Sequence, residues 1–528
     1  MILKRFLLLL LSFLCGVILS TGRSPAESRD AGMLPPPSDA QILEGLSALH
    51  QGCFSEGQAH FRAFLDSDPA DPRGHLFLAF SEWWRLLQFR GVGESPAMEF
   101  HLQEAIRLAR ARLERNPGDP ETLANLGTGY IFLAQYRAAQ HRVLRAAMAA
   151  KKGKGLLEKA LKSDSDLTDS RFGLGAYNYY ADKVNVLVKG LRTAMFLPGG
   201  NSDLGLSQLE EVSEKGRYFR TEAHLLLAII LQGRHERRYL KALDHLRAAL
   251  ALNPGSPVVL MSIGELQIRL GRYPEAQATL QQAADVALRT RDPDQAEMAR
   301  LSRILLSDSL DLSLHSVLAL RALDSSLNAK EIQPDLRERA LAVATRAATR
   351  SGDAQSLGRI YDELGVEAAE RELLRERFGA TERQDDLVRR IEAALDLQNA
   401  GRLEDAVRLL EELQSGYPVS AEVRLHLARA YFEQGKWREA ETKLRQISET
   451  AAGRAPGWIG GWRNLYLGRS LAEQGKMAEA KVFYRKAAET EGFRAKDLAR
   501  ALLGPEGDDP ALWPRRVFGR ARVNQKSP

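Results

Sequence analysis

The residues of this 528-residue chain that could do chemistry are thinly spread. Ten histidines occur singly, and His224, His235 and His245 come nearest to a cluster. No Cys-x-x-Cys or His-Glu-x-x-His spacing accompanies them, so no zinc-type donor set forms from neighbours on one helix or loop. The three are expected on helix surfaces. Gly127-Thr-Gly129 and Gly173-Leu-Gly175 begin like a dinucleotide-binding turn, but each lacks the third glycine and neither follows a strand pattern. They read as glycines that let helices pack closely. Gly153-Lys154-Gly155 has no Ser or Thr after the lysine to hold a nucleotide's metal ion. Pro198-Gly199-Gly200-Asn201, followed by Asp203, reads as a turn opening a helix, whose N-terminus could receive an anion. No Gly-x-Ser-x-Gly is present, and carboxylate pairs such as Glu210-Glu211 and Glu411-Glu412 suit solvated helix faces. The sequence therefore assigns no catalytic residue, no cofactor and no metal.

The elements that carry these residues are helical and repeated. Ala394, Gly401, Leu403, Ala406, Leu410 and Leu413 recur 34 positions later as Ala428, Gly435, Trp437, Ala440, Leu444 and Ile447. A further shift of 40 gives Gly468, Gly475, Met477, Ala480, Tyr484 and Ala487, the extra six residues falling in a loop from Ala451 to Trp462. Upstream, Gly264, Gly271, Tyr273, Ala276, Leu280 and Ala283 repeat the pattern. Each type has a steric reason. A small residue in each helix lets the pair approach, and glycine ends the first helix in a left-handed conformation. The large residue two positions on (Tyr273, Leu403, Trp437, Met477) is expected to wedge between the helices. Weaker copies run through Gly45, Phe54 and Phe61, through Leu126, Gly127 and Tyr130, and through Tyr239, Ala242, Leu246 and Ala249. Proline follows the second helix at Pro69, Pro117, Pro254 and Pro418, where it stops the helix.

These residues resemble the tetratricopeptide repeat (TPR). The resemblance implies an all-α protein, an α-solenoid of TPR-type helical hairpins with an irregular central helical region. The predicted organisation is an N-terminal signal or anchor over 1–26, a linker over 27–38, and a repeat array over 39–293 with an atypical insertion at 181–203. An irregular helical connector over 294–381, a second array over 382–500 and a basic disordered tail over 501–528 follow. The stretch from Phe172 to Leu231 is similar to one in uncharacterised exported bacterial TPR proteins. Within it Val184, Leu187, Val188, Leu191 and Met195 share a helical face that Lys189 and Arg192 flank. Such a helix either lies on a membrane surface or packs on the repeats.

The two ends bound compartment and charge. Lys4 and Arg5 precede an uncharged run from Phe6 to Leu19 and the small residues up to Ala26, which predicts export to the periplasm or cell envelope, by a cleaved signal or an uncleaved anchor. Loss of the signal would remove Cys15 and leave Cys53 alone, excluding an internal disulfide. Of the net +6, five cations sit in Trp513–Pro528 without an acid and two are Lys4 and Arg5, leaving −1 for everything between. That near-neutral body argues against nucleic acid as a partner.

The TPR resemblance implies function by binding protein partners. First helices would line a groove holding a peptide or helix against Ile391, Leu395 and Asn399, then Leu425, Arg429 and Phe432, then Trp462, Leu465 and Arg469. The in-register arginines suggest a ligand with apolar side chains and some negative charge. The carboxylate clamp of chaperone-binding TPRs is missing, since its stations hold Val388, Ile391, Glu422 and Leu425. Asn125 alone sits where such proteins often bond the ligand backbone. Trp458, Ile459 and Trp462 in the loop either form a contact site or tuck over the preceding hairpin. The leading reading is an envelope scaffold. Its rivals are a peripheral membrane-associated repeat protein and an enzyme with a pocket in the atypical 172–231 region near Tyr177–Tyr180.

Overall fold

A computed structural model describes residues 37–86, 95–183, 199–233, 235–289, 293–312, 316–324, 334–351, 353–378, 385–399, 401–447, 458–490, 495–507, 509 and 512. The expected signal, the amphipathic face at 184–197 and the tail beyond residue 512 lie outside them. Among the described residues there are 24 helices and no strand. They divide between two compact units, the first drawn from Met1–Ile230, Asp244–Val259 and Asp292–Gln295, the second from Leu231–Leu243, Leu260–Arg291 and Ala296–Pro528.

The hairpin is the unit of construction, and one turn makes it. α11 (Pro257–Arg269), which belongs to the second unit from Leu260 on, is followed by α12 (Tyr273–Ala287), and in the same unit α18 (Asp385–Asn399) is followed by α19 (Leu403–Gly416), α20 (Ala421–Glu433) by α21 (Trp437–Arg445), and α22 (Trp458–Glu473) by α23 (Met477–Glu489). Gly271, Gly401, Gly435 and Gly475 all take positive φ, between +69° and +79°. The next N–H then donates to the carbonyl five residues back, as from Arg272 to Gln267 (2.9 Å) and from Lys436 to Tyr431 (2.9 Å). This closes the first helix and starts the second within two residues. Gly52 (φ +80°) does the same between α1 (Pro37–His50) and α2 (Phe54–Ser67) in the first unit.

Close approach comes next. A Cβ on Gly264 would stand 2.6 Å from the Leu280 side chain, and one on Gly468 would stand 2.5 Å from Tyr484. The large residue after the turn is a wedge only at Tyr273, which is fully buried. Leu403 and Trp437 are half-buried and Met477 is exposed.

The first unit continues with α3 (Pro72–Arg85), α4 (Pro96–Arg115), α5 (Pro120–Ala139), α6 (Val143–Ser163), α7 (Ser170–Lys183) and α8 (Ser202–Lys215). Two of its crossings bring backbone against backbone. A Cβ on Gly153 in α6 would meet the Gly127 carbonyl of α5 at 2.7 Å, and one on Gly205 in α8 would meet the Gly175 carbonyl of α7 at 2.6 Å. The glycine pairs that mimic a nucleotide fingerprint are thus packing glycines at Gly127 and Gly175. The tyrosines of the candidate pocket, Tyr177, Tyr179 and Tyr180, are buried.

Phe219 anchors this unit, stacked on Phe77 and Phe172 and edge-on to Phe80, with ring centroids 5.6 to 6.2 Å apart. The buried Asp169 carboxylate fixes the strip of chain that delivers it, accepting the backbone N–H groups of Arg217, Tyr218 and Phe219 at 3.0 to 3.2 Å. Burial pushes this carboxyl up to about 6. Arg217 then reaches Asp39 (2.5 Å), which also takes Arg73 (2.9 Å).

The remaining helices are α9 (Arg220–Gln232), α10 (Tyr239–Leu252), α13 (Pro293–Leu312), α14 (Ser316–Asp324), α15 (Pro334–Ser351), α16 (Ala354–Glu363), α17 (Ala368–Phe378) and α24 (Ala495–Leu502). From α13 to α17 they share a core that includes Ile304, Leu320, Leu341, Val343, Ile360 and Tyr361. Arg339 crosses from α15 to Asp308 (2.5 Å) and Glu265 (3.0 Å). Glu506, within the span assigned to the tail, accepts the first N–H groups of α10 from Leu240 (2.7 Å) and Lys241 (3.1 Å).

Three stability outcomes are expected in urea unfolding. Gly205→Ala, which drives a methyl group into the α7 backbone, should cost about 1–3 kcal/mol, whereas Gly155→Ala, with open space around it, should gain about 0.5–1 kcal/mol. Asp169→Ala should cost about 2 kcal/mol or more, since it strands buried N–H donors. Equal midpoints for the two glycine variants would discard the close-approach account.

Candidate functional site

The nine residues expected to face a ligand lie on α18, α20 and α22, the first helices of three successive hairpins. The structure buries those whose side chains it describes. Leu425 and Leu465 are fully buried, Ile391, Leu395 and Phe432 expose no more than 3%, and Arg429, Trp462 and Arg469 expose 6 to 9%. The side chain of Asn399 lies outside the described residues. Ile391 and Leu395 belong to a core with Leu410, Leu413, Val423 and Leu427.

What these helices bring together is a lattice of cations and rings. The Arg429 guanidinium of α20 lies 5.6 Å from the ring centre of Tyr466 on α22, and the Arg469 guanidinium of α22 lies 5.8 Å from that of Phe432 on α20. Phe432 meets Tyr466 edge-on at 5.7 Å, and Trp462 lies 5.9 Å from the same tyrosine. The exchange is reciprocal because Arg429 and Arg469 occupy the same station in adjacent hairpins. Each sits above the other helix's ring, an attraction that strengthens away from water. Arg469 also reaches Glu473 (3.0 Å), one helical turn on, and Arg429 lies 3.3 Å from His426. Burial pushes the Tyr466 hydroxyl up to about 12.

Polar atoms concentrate along the same helices. Gln398 on α18 is fully buried, yet neither end of its amide makes a hydrogen bond among the described residues, and the buried Ser470 hydroxyl on α22 is likewise unmatched. On α5, Asn125 is buried with its carbonyl oxygen unmatched.

Sequence reasoning missed Tyr466, His426 and Glu473 in this lattice. The signal was available for one of them. Arg429 and Glu433, like Arg469 and Glu473, are spaced i, i+4 in both repeats, the spacing at which helix side chains meet. Of the two readings of the tryptophan segment, the exposed contact loop is corrected, because from Trp458 onward the segment is helix. Trp458 begins α22, and Ile459 and Trp462 are buried on its inner face with Leu465 and Tyr466. Helical spacing over 459, 462, 465 and 466 brings them to one side.

The histidines are not all surface groups either. Nδ1 of His224 on α9 lies 3.0 Å from Nδ1 of His245 on α10, both rings half-buried, and His75 on α3 meets His101 on α4 at 2.8 Å. Burial, and then the neighbouring imidazole, push His224 and His101 down to about 4. No group of three or more His, Cys, Asp or Glu among the described residues could hold a metal ion. No helix among them is long and apolar enough to cross a membrane.

A family model described as tetratricopeptide repeat matches residues 234–305 and 397–458, which contain the turns at Gly271, Gly401 and Gly435. No curated protein matches the sequence. Solved structures similar to it include the TPR domain of P58(IPK), 14% identical over 88% of this chain and 97% of that one, with a TM-score of 0.19. The TPR2AB domain of yeast Sti1 in complex with pHSP90 is 14% identical over 62% of this chain and 98% of that one, with a TM-score of 0.18. A human IFIT1 dimer with m7Gppp-AAAA is 14% identical over 87% and 92%, with a TM-score of 0.27. At such scores the chains do not superpose along their lengths. On the matched segments, and on the left-handed turn repeated between their paired helices, residues 234–305 and 397–458 of the chain are tetratricopeptide repeats.

Proposed function

We propose that this protein is an exported scaffold that docks partner proteins in the cell envelope, with the partner engaging the first helices α18, α20 and α22. The observation that carries the reading is the repeated lattice of Arg429, Phe432, Tyr466 and Arg469 on adjacent first helices. Hairpins need small residues and a turn to form, but they do not need arginine at the same inner station twice. A partner with apolar and acidic side chains would meet the edges of Arg429, Trp462 and Arg469. The Lys4–Arg5 start, the apolar run and the small residues up to Ala26 support export.

Partner capture from envelope fractions tests the docking part. Arg429→Gln with Arg469→Gln should lower recovery of specific partners about ten-fold, the scale of one to two kcal/mol lost at a binding hot spot. Arg408→Gln with Arg438→Gln, on exposed stations of the second helices, should leave recovery unchanged, and urea midpoints of both pairs establish that each variant is folded. A folded first pair that captures every partner would remove the site from α20 and α22. The export part is checked separately. A reporter enzyme active only outside the cytoplasm, fused after residue 38, should be active with the native sequence and inactive when Leu9→Arg interrupts the apolar run.

A further inference from the structure

The hairpin of α5 and α6 is longer than the others, and its extension ends in an unusual surface. In the regular hairpins the two small crossing residues are twelve positions apart, as Gly45 and Gly57 or Gly264 and Ala276 are. Gly127 and Gly153 are 26 apart. Each arm therefore runs seven residues further beyond the crossing, about two turns or 10 Å. The turn itself is ordinary. His141 takes the left-handed station (φ +59°) that glycine holds elsewhere, and the Arg142 N–H donates to the Arg137 carbonyl at 2.9 Å. The first turn of α4 braces the extension, since the Ser95 N–H donates to the Tyr136 hydroxyl at 3.1 Å.

The tip leaves apolar side chains uncovered. Eleven large apolar residues are exposed among the described residues, and only Val143, Leu144 and Met148 form a trio within six positions, each a little over half exposed. Exposed cations flank them at Arg142 and Arg145. Arg137, beneath, is held below its usual range by burial and by the charges of Arg145 and Arg142, with Glu99 opposing. Along the same outer face of α6 follow Lys151, Lys159 and Lys162, with the exposed Lys152 resting its ammonium 4.5 Å over the Tyr130 ring, against one acid, Glu158, which Lys154 engages.

We infer that the tip and outer face of the α5/α6 hairpin dock on an anionic lipid bilayer. The apolar trio would sit among the acyl chains just below the headgroups while Arg145 and the lysines lie against lipid phosphates. A helix face with apolar groups at one end and cations along its length is suited to a flat, negatively charged, deformable surface. A nucleic acid would leave the trio facing phosphates. The inference rests on neither the protein-docking site nor the export signal.

Photoactivatable phosphatidylglycerol reads it locally in the full chain, whatever other segments touch lipid. With vesicles of phosphatidylcholine containing about a third phosphatidylglycerol, adducts should map to Val143–Met148. Leu144→Ser with Met148→Ser should lower adduct yield there about ten-fold. Arg145→Glu should lower it too, and phosphatidylcholine alone should give little. All substituted residues are exposed, and unchanged circular dichroism confirms folding. Absence of adducts from this peptide, or equal yield with neutral vesicles, overturns the inference. So does protection of residues 142–150 from hydrogen exchange by poly-glutamate but not by vesicles, which would assign the face to an acidic protein.

Discussion

The glycine-crossed hairpins among the described residues depend on two helices coming close enough for backbone to meet side chain or backbone. Where Gly205 faces the Gly175 carbonyl, or Gly153 faces that of Gly127, there is no room for a single methyl group. A helix of fourteen residues is marginal alone and gains its order from the face it buries, so distance between axes decides whether the oily stripes interlock. The left-handed turn serves that constraint. Two residues reverse the chain without a loop that would hold the helices apart.

Once approach is fixed by small residues, larger ones are free to differ between units. The first unit fills its interior with phenylalanines gathered around Phe219 and spends buried charge on holding that residue in place through Asp169. The second unit spends it between helices, with Arg339 bridging Asp308 and Glu265 and with Arg429 and Arg469 set over the rings of Phe432 and Tyr466. Buried ion pairs of this kind contribute little net stability against an apolar equivalent, but losing one partner is costly. They therefore fix which helix faces which.

Function in such an architecture follows from what packing does not require. Arginine repeated at one inner station, an amide buried at Gln398 without a partner among the described residues, and an apolar trio uncovered at the end of a lengthened hairpin are all unnecessary for stacking helices. The first two lie on neighbouring first helices and the third on an outer face, so they suit different ligands.

The amino-acid sequence by itself determined the all-helical class, the hairpin period and the turn positions, because glycine at a left-handed station and small residues at crossings are local steric necessities. It also located Arg429 and Arg469 in register. Only the tertiary structure decided that the expected ligand-facing residues are buried, that Trp462 lies inside a helix, and that His224 meets His245. Those outcomes depend on which side of each helix its neighbours cover, and a repeat pattern is silent on that. The Gly153 crossing and the turn at His141 were hidden for a related reason. Two added turns on each arm shift the partner by fourteen positions, and a left-handed residue other than glycine gives no sign of itself until the backbone is seen.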